Sequence, residues 1–324
     1  MRVCVLSDED FENFDPSYYL NDYYKWDMVN VKVPAHDFIR KLSRKNDFDV
    51  YLNLCTGAGE EDLGIDVVQA LEALNLPFTG ADSRFYEPTR EQMQAVAEIQ
   101  GVGFARGFHA ESVDDLGLAR KLRYPLMVKH PNSFGSMGMT RESRVESLAQ
   151  LRKQVQRMCW EFGSARVEEF IDGREFTCMV VDNPDDLSDP FTYPPVEVLF
   201  PQGETFQHTE VKWDSSEMRL APVKSVRLTE RLQKMSKQMY LGLGGVGYGR
   251  TDIRMAPDGG LYMLEINPNC GILYLPEENG PADVPIEYDP DGHHGFLDRI
   301  FRSAIARQQM RVPVRTRARQ YAKI

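Results

Sequence analysis

The sequence predicts a mixed α/β protein built from several lobes. Two short apolar runs bounded by polar residues, at 2–7 and 49–55, are typical of buried parallel strands. A loop at 56–62 follows the second run. Apolar residues at helical spacing come next, namely Val67, Val68, Leu71 and Leu74. This strand–loop–helix order indicates an α/β lobe that ends near residue 87.

The rest of the chain continues to mix helices and strands. Pro88 or Thr89 opens a helix from Glu91 to Ile99, and Gly101 closes it. Further helices are predicted at 145–162 and 228–241. Strands are predicted at 126–130, 166–171 and 175–181, followed by a loop at 184–195 and a hairpin of 250–255 with 261–267. At 324 residues the chain is long enough for two or three domains and a cleft between them.

The net charge argues against a general polyanion binder. With 38 Lys and Arg against 49 Asp and Glu, the formal charge is −11, whereas phosphate surfaces recruit basic footprints. We therefore expect neither nucleic acid nor a membrane as a partner. From Arg302 onward every charged side chain is a cation, which is typical of a frayed, solvated end or of a helix that runs into disorder.

The cysteines and the amino terminus point to a cytoplasmic protein. The five cysteines are scattered without a C-x-x-C pair, so neither a zinc cluster nor a disulfide framework is predicted. Residues 1–6 are too short an apolar run for a signal peptide, and no 18-residue apolar stretch follows.

The strongest local pattern is the hairpin within residues 249–268. If Asp258 and Gly259 form a two-residue turn, Asp252 pairs with Glu265 and Arg250 pairs with Asn267. Because side chains alternate along a strand, these four share one face. The opposite face is predicted to enter a core through Ile253, Met255, Leu264 and Ile266.

Two opposed carboxylates repel, so a cation between them is expected. Asp252, Glu265 and the amide oxygen of Asn267 are ligands that suit Mg²⁺, which usually also binds substrate phosphates. The alternative is a solvated hairpin face with an ordinary ion pair. Gly271, just after the strand, favours the ligand site because its backbone N–H can reach a ligand.

A lysine and a glycine-rich turn form a second pattern. Lys129 ends an apolar strand, and the small residues Gly135 and Ser136 follow in a loop whose backbone N–H groups could approach an anion. Neither the P-loop spacing nor the dinucleotide spacing is met. The alternative is a structural turn and a solvated lysine.

A third pattern could hold a nucleoside. The segment 168–171 (Glu168, Glu169, Phe170, Ile171) could present backbone groups to an adenine edge, and Glu175 could accept from a ribose hydroxyl. A hairpin with solvated acids is the alternative.

In this order and spacing, the patterns resemble the ATP-grasp superfamily and, within it, the D-alanine–D-alanine ligase family. The resemblance covers roughly residues 49–301. The matching stretches are 53–62, 76–80, 128–129, 135–139, 167–176, 210–213, 249–252 and 264–268.

The resemblance implies three lobes, with ATP between the central and carboxyl-terminal ones. The expected division is an α/β substrate lobe at 1–87, a central lobe at 88–173, a metal-binding lobe at 174–310 and a basic tail at 311–324. Two Mg²⁺ ions would bind Asp252, Glu265 and Asn267. The implied ATP contacts are Arg90, Lys129, Gly135, Ser136, Glu168, Glu169, Phe170, Ile171, Glu175 and Lys212.

The resemblance also implies a mechanism. A carboxylate attacks the γ-phosphate to give an acylphosphate and ADP, and an amine then displaces phosphate to form an amide. Arg250, the Gly271 N–H and Lys212 would stabilise the transferring and tetrahedral groups. Residues 204–217, which carry Lys212 and Trp213, are the candidate lid that excludes water, or else an ordinary surface connection. A homodimer is a further expectation.

Several substrate-binding positions depart from the family pattern. The family's amino-terminal Gly-Gly-x-Ser-x-Glu stretch is absent. Thr56 stands where the family has a histidine in the next loop. Arg90 replaces a lysine, Trp213 a tyrosine, and Pro276 the serine that binds the second substrate's carboxylate.

Glu61 matches an acid of the family's first-substrate site. It is a candidate contact for a substrate ammonium group, and capping of the next helix is the alternative.

We therefore expect an ATP- and Mg²⁺-dependent carboxylate–amine ligase that acts on amino acids or similar acids and does not make D-alanyl-D-alanine. One rival is an ATP-grasp small-molecule kinase that stops at the phosphorylated product. Another is a nucleotide-binding regulatory module without turnover, against which the complete set of phosphate and metal residues argues.

Overall fold

The structure is a computed structural model that describes residues 1–7, 15–55, 63–132, 135–213, 218–268, 270–278 and 280–311. For Lys212 and Trp213 only the backbone is described. The expectations for Glu61 and Thr56, and for the basic tail beyond Arg311, lie outside these residues.

The amino-terminal lobe is built on a parallel sheet with the strand order β2-β1-β3. Its elements are β1 (Arg2–Ser7), α1 (Pro16–Leu20), β2 (Lys25–Asn30), α2 (Ala35–Lys45), β3 (Val50–Asn53) and α3 (Gly64–Ala73). Both predicted strands are confirmed, and β3 is shorter than the predicted run at 49–55. The central strand β1 is buried along almost its whole length, whereas the edge strand β2 is largely exposed and therefore lacks an apolar run.

Helix α4 (Arg90–Gln100) has the predicted start and end. Thr89 and Gln92 form a reciprocal capping box, and Gly101 ends the helix in the left-handed region at φ 64°. The cap places Arg90 in the first turn, where its side chain is buried. Because α4 packs its apolar side on the large sheet described below, Arg90 stands at the boundary between two sheets.

The small sheet is antiparallel with the strand order β4-β7-β5-β6. Its elements are β4 (Gly107–Ala110), β5 (Leu126–Lys129), β6 (Arg144–Val145), α5 (Leu148–Phe162) and β7 (Ala165–Glu169). The predicted helix start at residue 145 is wrong, because Val145 pairs with Leu126 in the sheet. Helix α5 begins after Ser147, whose side chain accepts a hydrogen bond from the Gln150 N–H.

The large sheet is antiparallel with the order β11-β10-β8-β12-β13, and β9 also pairs with β8. Its elements and the helices around it are β8 (Arg174–Val181), β9 (Phe191–Thr192), β10 (Val196–Leu199), α6 (Thr209–Trp213), β11 (Arg219–Pro222), α7 (Val226–Gly242), β12 (Tyr248–Met255), β13 (Leu261–Pro268), α8 (Asp283–Glu287) and α9 (Gly292–Met310). Helices α4 and α7 cover one face of this sheet. Helix α9 packs between its other face and the amino-terminal sheet.

The carboxyl-terminal end of α9 is anchored on the amino-terminal lobe. Arg307 donates to the backbone carbonyls of Phe78 (3.3 Å) and Gly80 (3.4 Å), and its guanidinium lies 3.4 Å from the Asp182 carboxylate. Arg311 donates to the Leu76 carbonyl at 3.1 Å. The expectation of a solvated, frayed basic end is therefore wrong for Arg307 and Arg311, and the alternative of a helix leading into the tail agrees with α9 as far as Met310. Within the described residues, every helix is too short or too polar to span a lipid bilayer.

Two glycines of the turn between α7 and β12 provide a matched pair of substitutions. Gly247 has φ +81°, and a Cβ there would lie 2.2 Å from the Gly80 carbonyl oxygen. Gly244 has φ +69° with nothing within 4 Å of a Cβ. We expect Gly244→Ala to lower the free energy of unfolding by about 1–2 kcal/mol, through backbone strain alone. Gly247→Ala should lower it by roughly 1–3 kcal/mol more, through the added overlap.

Denaturant titrations of both variants would measure the difference. Equal losses for the two substitutions would contradict the close approach of Gly247 to Gly80.

Candidate active site

The β12–β13 hairpin has the predicted register at the site. Asp252 pairs with Glu265 and Arg250 pairs with Asn267. The predicted two-residue turn is wrong, because the Ala256 N–H donates to the Gly260 carbonyl around a longer loop. A β-bulge between the loop and the site shifts the register by one residue and restores the expected pairs.

The bulge also changes which side chains enter the cleft. The ladder passes from Met263 opposite Ile253 to Glu265 opposite Asp252, so Leu264 is the extra residue. Leu264 lines the cleft together with Glu265, whereas Met263 is fully buried in the core. The prediction that Leu264 faces the core is therefore wrong.

The predicted metal ligands form a compact oxygen-rich group. Asp252 accepts hydrogen bonds from Thr177 Oγ1 (2.9 Å) and from Asn267 Nδ2 (3.0 Å). The bond from Asn267 to Asp252 orients the Asn267 amide. Its Oδ1 is then a buried acceptor with no hydrogen-bond partner among the described residues. No three His, Cys, Asp or Glu side chains of the described chain cluster closely enough to hold a metal by themselves. Two carboxylates and an amide oxygen instead fit Mg²⁺ that is also bound to phosphate oxygens.

Arg250 lies along the same face as Asp252. Its Nε and Nη2 donate to the two carboxylate oxygens of Asp252 at 3.2 and 3.0 Å. Burial by itself lowers the pKa of Arg250, but Asp252 outweighs it and keeps the pKa above the ordinary range. Arg250 is therefore a fixed cation beside the predicted metal ligands.

Two paired cations, one from a strand and one from a helix, line the cleft. Lys129 at the end of β5 forms an ion pair with Glu168 of β7, and Arg90 Nη2 donates to Glu265 Oε2 of β13 at 2.8 Å. Burial by itself raises the pKa of Glu168, but the charges of Lys129, Arg90 and Arg166 outweigh it and lower the pKa. The Glu168 carboxylate is therefore ionised and holds Lys129 at the cleft.

These residues line one cleft, which opens to solvent and spans about 740 Å³ when its solvent-exposed space is included. The predicted residues in its wall are Arg90, Lys129, Ser136, Glu168, Glu169, Phe170, Ile171, Glu175, Asp252 and Glu265. Of the other predicted residues that the structure describes, those outside the wall are Gly135, Arg250, Asn267, Gly271 and Pro276.

One end of the cleft is apolar. The Phe170 and Phe206 rings meet edge to face with centroids 6.0 Å apart, and Ile171 and Met139 also line this end. The Glu169 side chain bonds to the Arg123 backbone N–H and guanidinium, at 3.0 and 3.1 Å. These apolar side chains could contact a flat aromatic base.

The predicted ribose contact, Glu175, is bound to residues that the sequence patterns missed. Its Oε2 accepts from Arg254 Nε (3.0 Å) and Nη2 (2.9 Å), and its Oε1 accepts from Gln207 Nε2 (2.6 Å). Arg254 could have been found from the sequence, because it continues the alternation of Arg250 and Asp252 by two residues. Gln207 and Phe206 carry no comparable signal.

The glycine loop and the candidate lid contact each other. Ser136, in the left-handed region at φ 61°, donates through Oγ to the Gln207 carbonyl at 3.2 Å. Thr209 donates through its backbone N–H and its hydroxyl to the Met139 carbonyl, at 3.1 and 3.0 Å. The described part of the candidate lid therefore lies across the glycine loop. Residues 214–217 and the side chains of Lys212 and Trp213 lie outside the description.

The loop after β13 lies beside Arg250. Burial raises the pKa of Cys270 to about 12, with Arg250 opposing and Asp283 adding to the rise. The ring of Tyr274 covers Gly271, since a Cβ at Gly271 would be 2.7 Å from the Tyr274 hydroxyl. Pro276 opens a single helical turn, Pro276–Glu278.

Comparison with known proteins agrees with this geometry. A family model described as the D-ala D-ala ligase C-terminus matches residues 104–275. The D-alanine–D-alanine ligase of Maridesulfovibrio salexigens is 30% identical over 255 residues, covering 74% of this chain and 76% of that protein. The enzyme of the same name from Mannheimia succiniciproducens is 28% identical over 239 residues, covering 71% and 73%.

Solved structures share the fold. The D-alanine–D-alanine ligase of Coxiella burnetii superposes with a TM-score of 0.72 at 16% identity, covering 99% of this chain and 98% of that one. The Bacillus anthracis enzyme complexed with ATP gives a TM-score of 0.68 at 19% identity, covering 96% and 99%.

The fold is that of an ATP-grasp enzyme, as the sequence patterns predicted. The chain belongs to the D-alanine–D-alanine ligase family, which consists of ATP-dependent ligases that form carbon–nitrogen bonds.

Proposed function

We propose that the chain is an ATP- and Mg²⁺-dependent carboxylate–amine ligase that forms an amide through an acylphosphate and releases ADP and phosphate. The observation that carries the proposal is the meeting of Lys129, Arg90, Asp252 and Glu265 in one cleft with an aromatic end. Such a cleft can position a nucleotide base at one end and neutralise its phosphates at the other.

The nucleotide is assigned along the cleft. Phe170, Ile171 and Phe206 hold the base, and Glu175 accepts from the ribose. Lys129 neutralises the α- and β-phosphates, while Gly135 and Ser136 belong to the loop that closes on them. Arg90 acts at the γ-phosphate, close to Glu265.

Asp252, Glu265 and Asn267 hold Mg²⁺, and two ions are expected. Bound Mg²⁺ would neutralise phosphate charge during transfer. The buried, unpartnered Asn267 Oδ1 supports this assignment, because a buried amide oxygen without a donor is otherwise unfavourable.

The chain's own groups act on the two displacement steps. Arg250, held by Asp252, stabilises charge on the transferring phosphate and then on the tetrahedral intermediate. The Gly271 N–H donates to the same developing oxyanion. The candidate lid, lying across the glycine loop, excludes water so that the acylphosphate meets an amine instead.

The proposed substrates are amino acids or amino-acid-like acids other than a pair of D-alanines. Pro276 has no side-chain donor for a carboxylate, and the amino-terminal strand leads into Ser7 without the family's Gly-Gly-x-Ser-x-Glu stretch. The phosphate and metal positions, in contrast, keep family-like residues. The lobe boundaries at 87, 173 and 310, the homodimer and the cytoplasmic location stay predictions.

ATP turnover screened over amino acids and carboxylic acids, with mass spectrometry of the products, tests this proposal. We expect ADP and a condensed amide from at least one acid–amine pair. A stable phosphorylated product without an amide would indicate the kinase alternative. AMP release would contradict the acylphosphate route, and D-alanyl-D-alanine as the preferred product would contradict the substrate proposal.

Lys129→Met should weaken MgATP binding by about 10–100-fold, because the nucleotide loses a charge-assisted contact to a buried cation. Isothermal titration calorimetry with a non-hydrolysable ATP analogue measures the change without turnover. Lys121→Met, on the exposed surface of the same lobe, is the matched control and should bind normally. Unchanged affinity in Lys129→Met would remove the lysine from the nucleotide site.

A further inference from the structure

One carboxylate fixes the backbone of the loop at residues 270–275, which follows β13. We call it the Gly271 loop. Asp283, the first residue of α8, is buried, and its Oδ1 accepts from the Leu273 N–H at 2.8 Å. Its Oδ2 accepts from the Tyr274 N–H at 3.2 Å. Two successive N–H groups of the loop are thus bound to one side chain ten residues away.

The loop needs this support because its backbone is strained. Leu273 has φ +66°, in the left-handed region that non-glycine residues rarely adopt. Its side chain is nevertheless fully buried in the core between α9 and the sheets. The hydrogen bond to Asp283 and the buried side chain together hold Leu273 in this conformation.

Two further elements brace the same carboxylate and loop. His293, in the first turn of α9, lies with Nε2 2.7 Å from Asp283 Oδ1. Tyr19 of α1 stacks on the His293 ring with centroids 4.3 Å apart, and its hydroxyl donates to the Tyr274 carbonyl at 2.5 Å. Groups from α1, α8 and α9 therefore converge on the Gly271 loop.

The conformation of this loop decides what Gly271 can reach. The Tyr274 ring lies directly over Gly271, so a change in the backbone conformation of Leu273 would shift the ring relative to Gly271. The loop begins two residues beyond Pro268, which pairs with Gly249 next to Arg250. Asp283 thus fixes a loop that begins close to Arg250, which is itself bound to the cleft residue Asp252.

We propose that Asp283, supported by His293 and Tyr19, is a positioning residue that sets the Gly271 loop for the amide-forming step. The chemical consequence of this inference rests on the proposed ligase function, whereas its structural consequence does not. In this role Asp283 touches no substrate. It keeps the Gly271 loop in place beside Arg250, so that the acylphosphate reacts with the amine before water can reach it.

The structural consequence is tested by hydrogen–deuterium exchange on the full chain. In Asp283→Ala, amide exchange in the segment 270–275 should accelerate at least roughly tenfold, while exchange in β12 and β13 stays near wild type. Tyr19→Phe keeps the ring and removes one donor, so it should give a smaller acceleration in the same segment. Asp291→Asn, an exposed substitution near His293, is the control and should change neither.

The chemical consequence is tested by the ratio of ADP to amide, using an acid–amine pair that the wild type condenses. A merely structural loss lowers both products equally and leaves the ratio unchanged. Mispositioning should raise the ratio by about threefold or more in Asp283→Asn and in Tyr19→Phe, because water captures more of the acylphosphate. Binding of an ATP analogue should stay near wild type in both variants.

The outcomes separate this inference from the ligase proposal. A wild type that makes no amide contradicts the ligase proposal, whatever the exchange rates are. Unchanged exchange in both Asp283→Asn and Tyr19→Phe overturns the positioning role, even if Asp283→Ala fails to fold. Faster exchange with an unchanged ratio of ADP to amide limits Asp283 to structure and also overturns the role.

Discussion

Glu265→Gln should lower Mg²⁺-dependent ATP turnover by about 10²–10³-fold while the protein remains folded. The substitution removes one of the two carboxylates of the metal group and keeps the size of the side chain. It also weakens the contact with Arg90, whose guanidinium lies 2.8 Å from Glu265 Oε2. Both changes act on the γ-phosphate end of the cleft, so the loss of turnover should exceed that caused by Lys129→Met or Asp283→Asn.

The measurement is steady-state ADP release as a function of Mg²⁺ concentration, with thermal unfolding recorded in parallel. Asp258→Asn in the exposed loop of the same hairpin is the matched control, and its turnover should stay within about twofold of wild type. Turnover of Glu265→Gln close to wild type would remove Glu265 from the metal group.

Asp182→Ala should lower the free energy of unfolding by roughly 3–5 kcal/mol, a larger loss of stability than we expect from Gly244→Ala. The buried carboxylate of Asp182 accepts from the Tyr240 hydroxyl at 2.7 Å and from the Gly247 N–H at 2.9 Å, and it faces Arg307. Truncation would leave two buried donors without their acceptor and remove the counter-charge from the partly buried Arg307. It would also loosen the contact of α9 with the amino-terminal lobe.

Chemical denaturation followed by circular dichroism measures this loss. Asp185→Ala provides the comparison, because Asp185 is largely exposed and pairs with Arg302 at the surface. Its loss should be about 0–1 kcal/mol. Similar losses for the two variants would show that the Asp182 carboxylate contributes little beyond a surface ion pair.

The parts of the fold that the sequence could predict depend on local patterns. The bounds of α4 follow from Thr89 and Gly101, a side-chain cap and a left-handed glycine that any helix would use. The pairing of Asp252 with Glu265 follows from strand alternation. Even there, two deviations from the prediction offset each other. The loop is longer than predicted, and the extra residue Leu264 shifts the register back to the predicted pairs.

The parts that could not be predicted depend on contacts between distant residues. Val145 has a helical neighbourhood in sequence and joins a strand only because Leu126 lies beside it. Glu175 is a visible acid and Arg254 continues the strand alternation, but nothing in the sequence indicates that these two pair or that Gln207 joins them. Strand β2 is an exposed edge, so its residues lack the apolar run by which β1 and β3 were recognised.

The residues of the site also divide into those that the sequence could predict and those that it could not. Residue type and spacing indicate the phosphate and metal groups, because charges must be supplied by Lys, Arg, Asp and Glu side chains. The apolar end of the cleft uses Phe206 and Met139, which are ordinary core residues until the fold brings them to Phe170. Likewise, the sequence does not indicate a role for Asp283 and His293, because their contacts at the Gly271 loop arise only in the folded chain.

The bulge at Leu264 makes this residue dispensable to the sheet. Removing Leu264 would leave Met263 opposite Ile253 and Glu265 opposite Asp252 in one continuous ladder, so each retained neighbour would keep its face. The cleft can thus gain or lose one apolar side chain by a single-codon insertion or deletion, without moving Asp252 or Glu265, the proposed metal ligands. Within a lineage that keeps its phosphate chemistry, such a step would change the size of the nucleotide pocket at little risk to the fold.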